Sequence, residues 1–165
     1  MSYAELPNSE ATGSKVLTTA ENASVEKQVI LLVEDEALVR RVTCEVLQSA
    51  GYGVLKAKNS AEAIRTFLQH GKEVDLLLTD VVMPGRNGRE LARELRTICP
   101  GLKTIFTSGF PENAVTGQQL NQAGVFYLPK PYAVQSLLAK IRQALEEEAL
   151  REPMPLAAKH AAGNG

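Results

Sequence analysis

Two stretches of this chain, Val29-Ile30-Leu31-Leu32-Val33 and Leu76-Leu77-Leu78, are apolar at every position. A strand with one wet face alternates apolar and polar residues, because successive side chains point to opposite sides. An unbroken apolar run belongs to a strand covered on both faces, as in the middle of a parallel sheet. Further apolar runs begin near Tyr52, Thr104 and Phe126, and each of the five is followed by a segment of helical character. Five strand–helix units predict an α/β domain: a doubly wound, five-stranded parallel sheet with five helices, joined by right-handed crossovers.

The helices carry their own signals. Leu38, Val42 and Val46 form one apolar stripe, predicted to be the core face of the first helix; Val134, Leu137, Leu138, Ile141 and Leu145 form that of the last. Gly51 and Gly71 follow helices, Asn59-Ser60 offers an N-cap without a full capping box, and Pro100-Gly101 closes another helix. Between Pro111 and Ala123 the polar residues Asn113, Thr116, Gln118, Gln119, Asn121 and Gln122 leave few apolar anchors. The weakest and most mobile helix is expected there.

Residues 1–27 are polar and aperiodic, and residues 151–165 contain Pro153, Pro155 and a Gly-Asn-Gly end, so two disordered tails are expected around a domain spanning 28–150. A chain of 165 residues, 44% hydrophobic, has room for one core of its own. A formal net charge of −1 supplies no general attraction to nucleic acid or an anionic membrane, and no apolar run approaches the roughly 18 residues of a membrane span. Neither direct DNA binding nor membrane association is expected, and the location expected is cytoplasmic. Cys44 and Cys99 lack any C-x-x-C or zinc-ligand spacing and are expected to be small buried hydrophobes. His70, at a helix end, suits the partial negative charge there, and His160 lies in the tail.

Doubly wound sheets bind ligands beyond the carboxyl ends of their strands. There the chain places Glu34-Asp35-Glu36 after the first strand, Asp80 after the third, Ser108 at the fourth, and Lys130-Pro131 after the fifth. Singly, each has a plainer account: carboxylates favour a helix start, and Asp80, Ser108-Gly109 and Lys130 suit turns or surface. Together, on one edge of one sheet, they suggest chemistry. Two carboxylates about 4 Å apart repel by about 4 kcal/mol at an effective dielectric of about 20, which calls for a compensating cation. Mg²⁺ takes oxygen ligands and keeps several waters, so Asp35 and Asp80 with a carbonyl would make a sufficient protein share. Lys130 and Ser108 could then hold phosphoryl oxygens while Asp80 attacks phosphorus, giving an aspartyl phosphate.

From Val29 to about Glu148 the chain resembles the receiver domain of two-component response regulators. The resemblance rests on Val-Glu-Asp-Glu at 33–36, Leu-Thr-Asp-Val-Val-Met-Pro-Gly at 78–85 with Gly88, Thr-Ser-Gly at 107–109, and Leu-Pro-Lys-Pro at 128–131. It implies the flavodoxin-like strand order 2-1-3-4-5. It makes Asp80 the phosphoacceptor, Asp35 a direct ligand of Mg²⁺ or Mn²⁺, the Val82 backbone carbonyl a third ligand, and Glu34 an acidic partner acting through water. Ser108 takes the place of the switch hydroxyl, Lys130 that of the phosphoryl-binding lysine, and Tyr127 that of the switch aromatic. The implied output face comprises Ala114, Val115, Gln118, Gln119, Gln122, Tyr127 and Gln135. The implied partners are a sensor histidine kinase or phosphotransfer protein as donor, an unidentified downstream protein, and in the phosphorylated state a second copy of the chain. Asn87, Phe110 and Val82 depart from common family choices, at places that bear on phosphoryl lifetime.

Only 15 residues follow Leu150, which favours a stand-alone regulator over the receiver portion or relay intermediate of a hybrid kinase system. A receiver of this kind catalyses only its own phosphorylation and dephosphorylation. A haloacid-dehalogenase-like phosphatase would need a second Asp where Val82 stands, and a non-phosphorylated pseudo-receiver would not need the full set at 35, 80, 108 and 130.

Overall fold

The computed structural model describes residues 27–109 and 123–147. In chain order the elements are β1 (Val29–Val33), α1 (Ala37–Ser49), β2 (Gly53–Ala57), α2 (Ser60–His70), a 3₁₀ turn (Gly71–Glu73), β3 (Val74–Asp80), α3 (Gly88–Ile98), β4 (Lys103–Ser108), β5 (Val125–Pro129) and α4 (Val134–Glu146). All strand pairs are parallel and the sheet order is β2-β1-β3-β4-β5, as expected. Among the described residues there are four α-helices where five were expected. The helix placed between Pro111 and Ala123 falls, Ala123 apart, outside the described residues, as do the tails beyond residue 27 and after 147.

The apolar runs behave as two-faced strands. Leu31, Val33 and Leu77 face Ala63, Phe67, Leu91 and Leu95 of α2 and α3, while Ile30, Leu32, Leu76 and Leu78 face Cys44, Leu47, Leu137, Ile141 and Ala144 of α1 and α4. Alternate residues thus enter opposite cores, which is why the runs at 29–33 and 76–78 are apolar at every position. The register pairs Val33 with Thr79, Asp80 with Thr107 and Ser108 with Pro129. The carboxyl ends of β1, β3, β4 and β5 are therefore level.

Helix ends follow their local chemistry. Gly51 takes φ +99° after α1, a conformation that a side chain disfavours. Asn59 caps α2 by accepting from the Glu62 N–H at 2.9 Å. Asn87 and Glu90 form a full capping box at α3.

Two helix faces differ from expectation. On α1 the buried residues are Thr43, Cys44 and Leu47, whereas Leu38 is 67% and Val42 50% exposed and Val46 is half-buried. The helix carries two overlapping apolar ridges, and periodicity does not choose between them; the direction in which the chain leaves β1 does. On α4, Leu137, Ile141 and Ala144 are buried and Leu138 and Leu145 pack beside them, but Val134 is 50% exposed because it opens the helix beyond the edge of the sheet. Cys44 is buried as expected; Cys99 is only half-buried, at the end of α3.

Candidate functional site

Asp80 is the last residue of β3, and its side chain is 15% exposed. Lys130 follows β5, where its backbone N–H donates to the Ser108 carbonyl of β4 at 2.8 Å, just before the cis Lys130-Pro131 bond. From there its side chain passes the end of β4. Nζ donates to Asp80 Oδ2 at 2.7 Å and to Glu34 Oε2 at 3.4 Å. Strand ends that lie far apart in sequence thus meet in one charge cluster.

The acidic loop divides its labour unevenly. Glu34 is buried, at 6% exposure, and its Oε1 accepts the Glu36 N–H at 3.2 Å; Asp35 is exposed one residue further on. Burial raises the Glu34 pKa above the ordinary carboxylate value, offset only in part by the Glu36 N–H and by Lys130. For Lys130, burial alone would lower the pKa, but the hydrogen bond to Asp80 and the charges of Glu34 and Asp80 outweigh it and hold the ammonium above its ordinary value. Tyr132, beside the cluster, is raised by its own burial, with Lys130 opposing and the two acids adding.

The loop after Asp80 is built to bring backbone close. The Val82 N–H points to Asp80 Oδ1 at 3.3 Å, and the Gly88 N–H donates to the Val81 carbonyl at 2.9 Å. A Cβ at Gly88 would lie 2.0 Å from the Asp80 carbonyl oxygen, so only glycine lets α3 start here. The buried Ser60 hydroxyl donates to the Arg86 carbonyl at 3.0 Å, tying the same loop to α2, and the Thr79 hydroxyl donates to the Asp80 carbonyl at 3.2 Å. The Asn87–Glu90 capping box that fixes the far end of this loop could be found from its N-x-x-E spacing. The Ser60 contact had no sequence signal.

Ser108 is buried at the end of β4, 3% exposed. Tyr127 lies half-buried on β5 with its ring centroid 5.4 Å from that of Phe106, and the Arg89 guanidinium sits 5.7 Å from the Tyr127 ring. Gln135 is exposed in the first turn of α4, whereas Ala114, Val115, Gln118, Gln119 and Gln122 lie outside the described residues.

Among the described residues no three His, Cys, Asp or Glu side chains form a ready-made metal cage. The side-chain donors on this edge are oxygens: the Glu34 and Asp80 carboxylates meet one ammonium, and the exposed Asp35 adds a third acid next to Glu34 in the chain. That excess of negative charge, with few side-chain ligands, fits a hard divalent ion that keeps most of its waters, such as Mg²⁺. Among the described residues no helix is long and apolar enough to cross a membrane.

Comparison with known proteins agrees with this geometry. Residues 30–142 match the model of the response regulator receiver domain. The chain is 40% identical over 119 residues to the sensor kinase CckA of Brucella abortus, a match that covers 72% of this chain but 13% of the kinase. It is 36% identical over 116 residues to the response regulator receiver protein CpdR of the same organism, covering 70% of this chain and 95% of CpdR. A response regulator receiver domain protein from Clostridium thermocellum superposes with a TM-score of 0.67 at 29% identity, over 74% of this chain and 98% of that one. The response regulator TrrA of Thermotoga maritima, solved in complex with Mg²⁺-BeF, superposes with a TM-score of 0.62 at 29% identity, over 72% and 99%. Fold, strand-end chemistry and relatives agree: the chain belongs to the response regulator receiver domain family of two-component signalling.

Proposed function

We propose that this chain accepts a phosphoryl group onto Asp80 from the phosphohistidine of a sensor kinase or phosphotransfer protein, and that the modified state changes which protein it binds. The observation that carries this reading is the Lys130 ammonium 2.7 Å from Asp80 Oδ2, a cation already placed where phosphoryl oxygens would arrive. In the transfer, an Asp80 carboxylate oxygen forms the new O–P bond as the donor's P–N bond breaks. The imidazole leaves with the electron pair and takes a proton. Lys130 releases part of its hold on the carboxylate and pairs with a phosphoryl oxygen; Ser108, one strand over, takes a second through its hydroxyl. Asp35, Asp80 and the Val82 carbonyl would hold Mg²⁺ or Mn²⁺, with Glu34 acting through water, and the ion would supply neutralisation of the remaining phosphoryl charge.

Leu38 and Val134, in the first turns of α1 and α4, and Val82, two residues after β3, are exposed apolar side chains beyond the carboxyl ends of the strands. They suit contact with a helical donor that must bring its histidine within reach of Asp80. Movement of Ser108 toward the phosphoryl group would free space for Tyr127, whose ring now packs on Phe106, and so carry the change to the surface near Gln135. The reaction is a single event on the chain itself, so no sustained turnover of small phosphate esters is expected.

The test is uptake of label from a small acyl phosphate with Mg²⁺ present. The wild type should take up one phosphoryl group per chain and Asp80→Asn none. Equal uptake by both would reject Asp80, and none by the wild type would favour a pseudo-receiver. A second reading, the receiver portion or relay intermediate of a hybrid kinase system, draws on the 40% identity to part of the sensor kinase CckA, and back-transfer to a histidine phosphotransfer protein would read it out.

A further inference from the structure

Arg40 lies on α1, outside the set of residues discussed so far as ligands or acceptors. Its Nη1 donates to the Glu34 carbonyl at 2.7 Å and to the Asp35 carbonyl at 3.2 Å. These two carbonyls belong to the peptide planes on either side of the Asp35 Cα. Peptide planes are rigid, so holding both fixes φ and ψ of Asp35 and with them the direction of its Cα–Cβ bond. One side chain thereby aims another.

The loop has reason to need this. Glu34, Asp35 and Glu36 are three successive carboxylates whose mutual repulsion drives the backbone to spread. Glu36, the N-cap residue of α1, makes no side-chain cap, and the first turn of the helix contains no acidic residue to take that role. Arg40 forms no ion pair with these carboxylates among the described residues. Its charge is directed at carbonyl oxygens, which leaves the Asp35 carboxylate open.

We infer that Arg40 is a positioning residue that pre-sets Asp35 to receive the divalent cation, an inference that rests on the reading of Asp35 as a metal ligand. It sets affinity for the ion by reducing the ordering that the loop must undergo on binding.

The experiment is a calorimetric Mg²⁺ titration of the whole chain. Arg40→Gln should weaken Mg²⁺ binding about tenfold, the scale of one lost hydrogen bond from a charged group. Arg41→Gln, which removes the same charge one residue along from a side chain that among the described residues pairs with Glu45, is the control and should bind as wild type. In phosphorylation from an acyl phosphate, the half-saturating Mg²⁺ of Arg40→Gln should rise by the same factor while the rate at saturating Mg²⁺ holds. A purely structural loss would lower the rate at saturating Mg²⁺ as well. Wild-type or tighter binding by Arg40→Gln overturns the inference and leaves the function of Asp80 standing. Failure of the wild type to bind Mg²⁺ overturns the metal reading and this inference with it. Should Arg40→Gln not fold, Arg40→Lys replaces it, since it keeps the charge but not the planar fork. A loss of about threefold is then expected, and unchanged affinity would count against the inference.

Discussion

Lys130 Nζ lies 2.7 Å from Asp80 Oδ2, a contact between residues 50 positions apart that exists only because β3, β4 and β5 end at one level. The same ammonium reaches Glu34 at 3.4 Å, so one cation serves two acids from different strands. Removing it leaves two part-buried carboxylates without a counter-charge. Lys130→Met should therefore lower stability in metal-free buffer by about 1–3 kcal/mol, and added Mg²⁺ should restore part of the loss. Chemical denaturation with and without Mg²⁺ measures both.

The pH dependence of that contact has a definite sign. Lys130 has a folded-state pKa above its ordinary 10.5, so its stabilising contribution is complete below that value and is lost as pH rises through the raised one. Tyr132, raised above 10.0, costs stability over a neighbouring alkaline window as it ionises. Melting curves should fall steeply above pH 10.5 in the wild type, and less steeply in Lys130→Met. Tyr132→Phe separates the tyrosine's share.

Glu34 behaves in the opposite sense to a stabilising acid. Because burial raises its pKa above 4.5, the folded state holds its proton more tightly than the unfolded chain, and stability is lost as pH rises from 4.5 through the raised value. Glu34→Gln should thus equal or exceed the wild type in metal-free stability at neutral pH, with the advantage vanishing below pH 4.5, while binding Mg²⁺ more weakly. A variant that lost stability at neutral pH would show the Lys130 pairing to outweigh burial.

Gly88→Ala should reverse the usual preference of helices for alanine. Alanine in place of a helical glycine ordinarily stabilises by about 1 kcal/mol. Here the new Cβ meets the Asp80 carbonyl oxygen at 2.0 Å, a backbone atom that can move only by shifting Asp80 itself. A loss of about 2–4 kcal/mol in equilibrium unfolding is expected, together with reduced phosphoryl uptake.

Thr104 offers a gain. Its Oγ1 is fully buried near the start of β4 and has no hydrogen-bond partner among the described residues. Thr104→Val keeps the branched shape and removes the unsatisfied hydroxyl, so a stabilisation of about 1 kcal/mol is expected in thermal or denaturant unfolding. A destabilised valine variant would mean that the hydroxyl has a partner in solution.

Much of this molecule was legible in one dimension because the physics behind it is local. The unbroken apolar runs at 29–33 and 76–78 are best satisfied by strands covered on both faces, and β1 and β3 lie side by side as the second and third strands of the sheet, both away from its edges. Asn59 and Gly51 mark helix ends through contacts with their own neighbours. The acids, hydroxyl and lysine at the strand ends were visible as residue types once the strands were placed.

What local pattern could not decide was decided by packing between distant segments. Leu38-Val42 and Cys44-Leu47 are both acceptable helix faces, and the sheet took the second. Glu34 and Asp35 are neighbours of one chemical kind, yet one is buried against a lysine 96 residues away and the other is exposed. Arg40 could be recognised as the brace of the acidic loop only once the turn after β1 had brought two carbonyls to one nitrogen. The sequence by itself determined periodicity, caps and the inventory of reactive groups, since these depend on a few residues at a time. The tertiary structure alone decided helix phase, burial and charge pairing, since these depend on which surfaces the whole chain brings together.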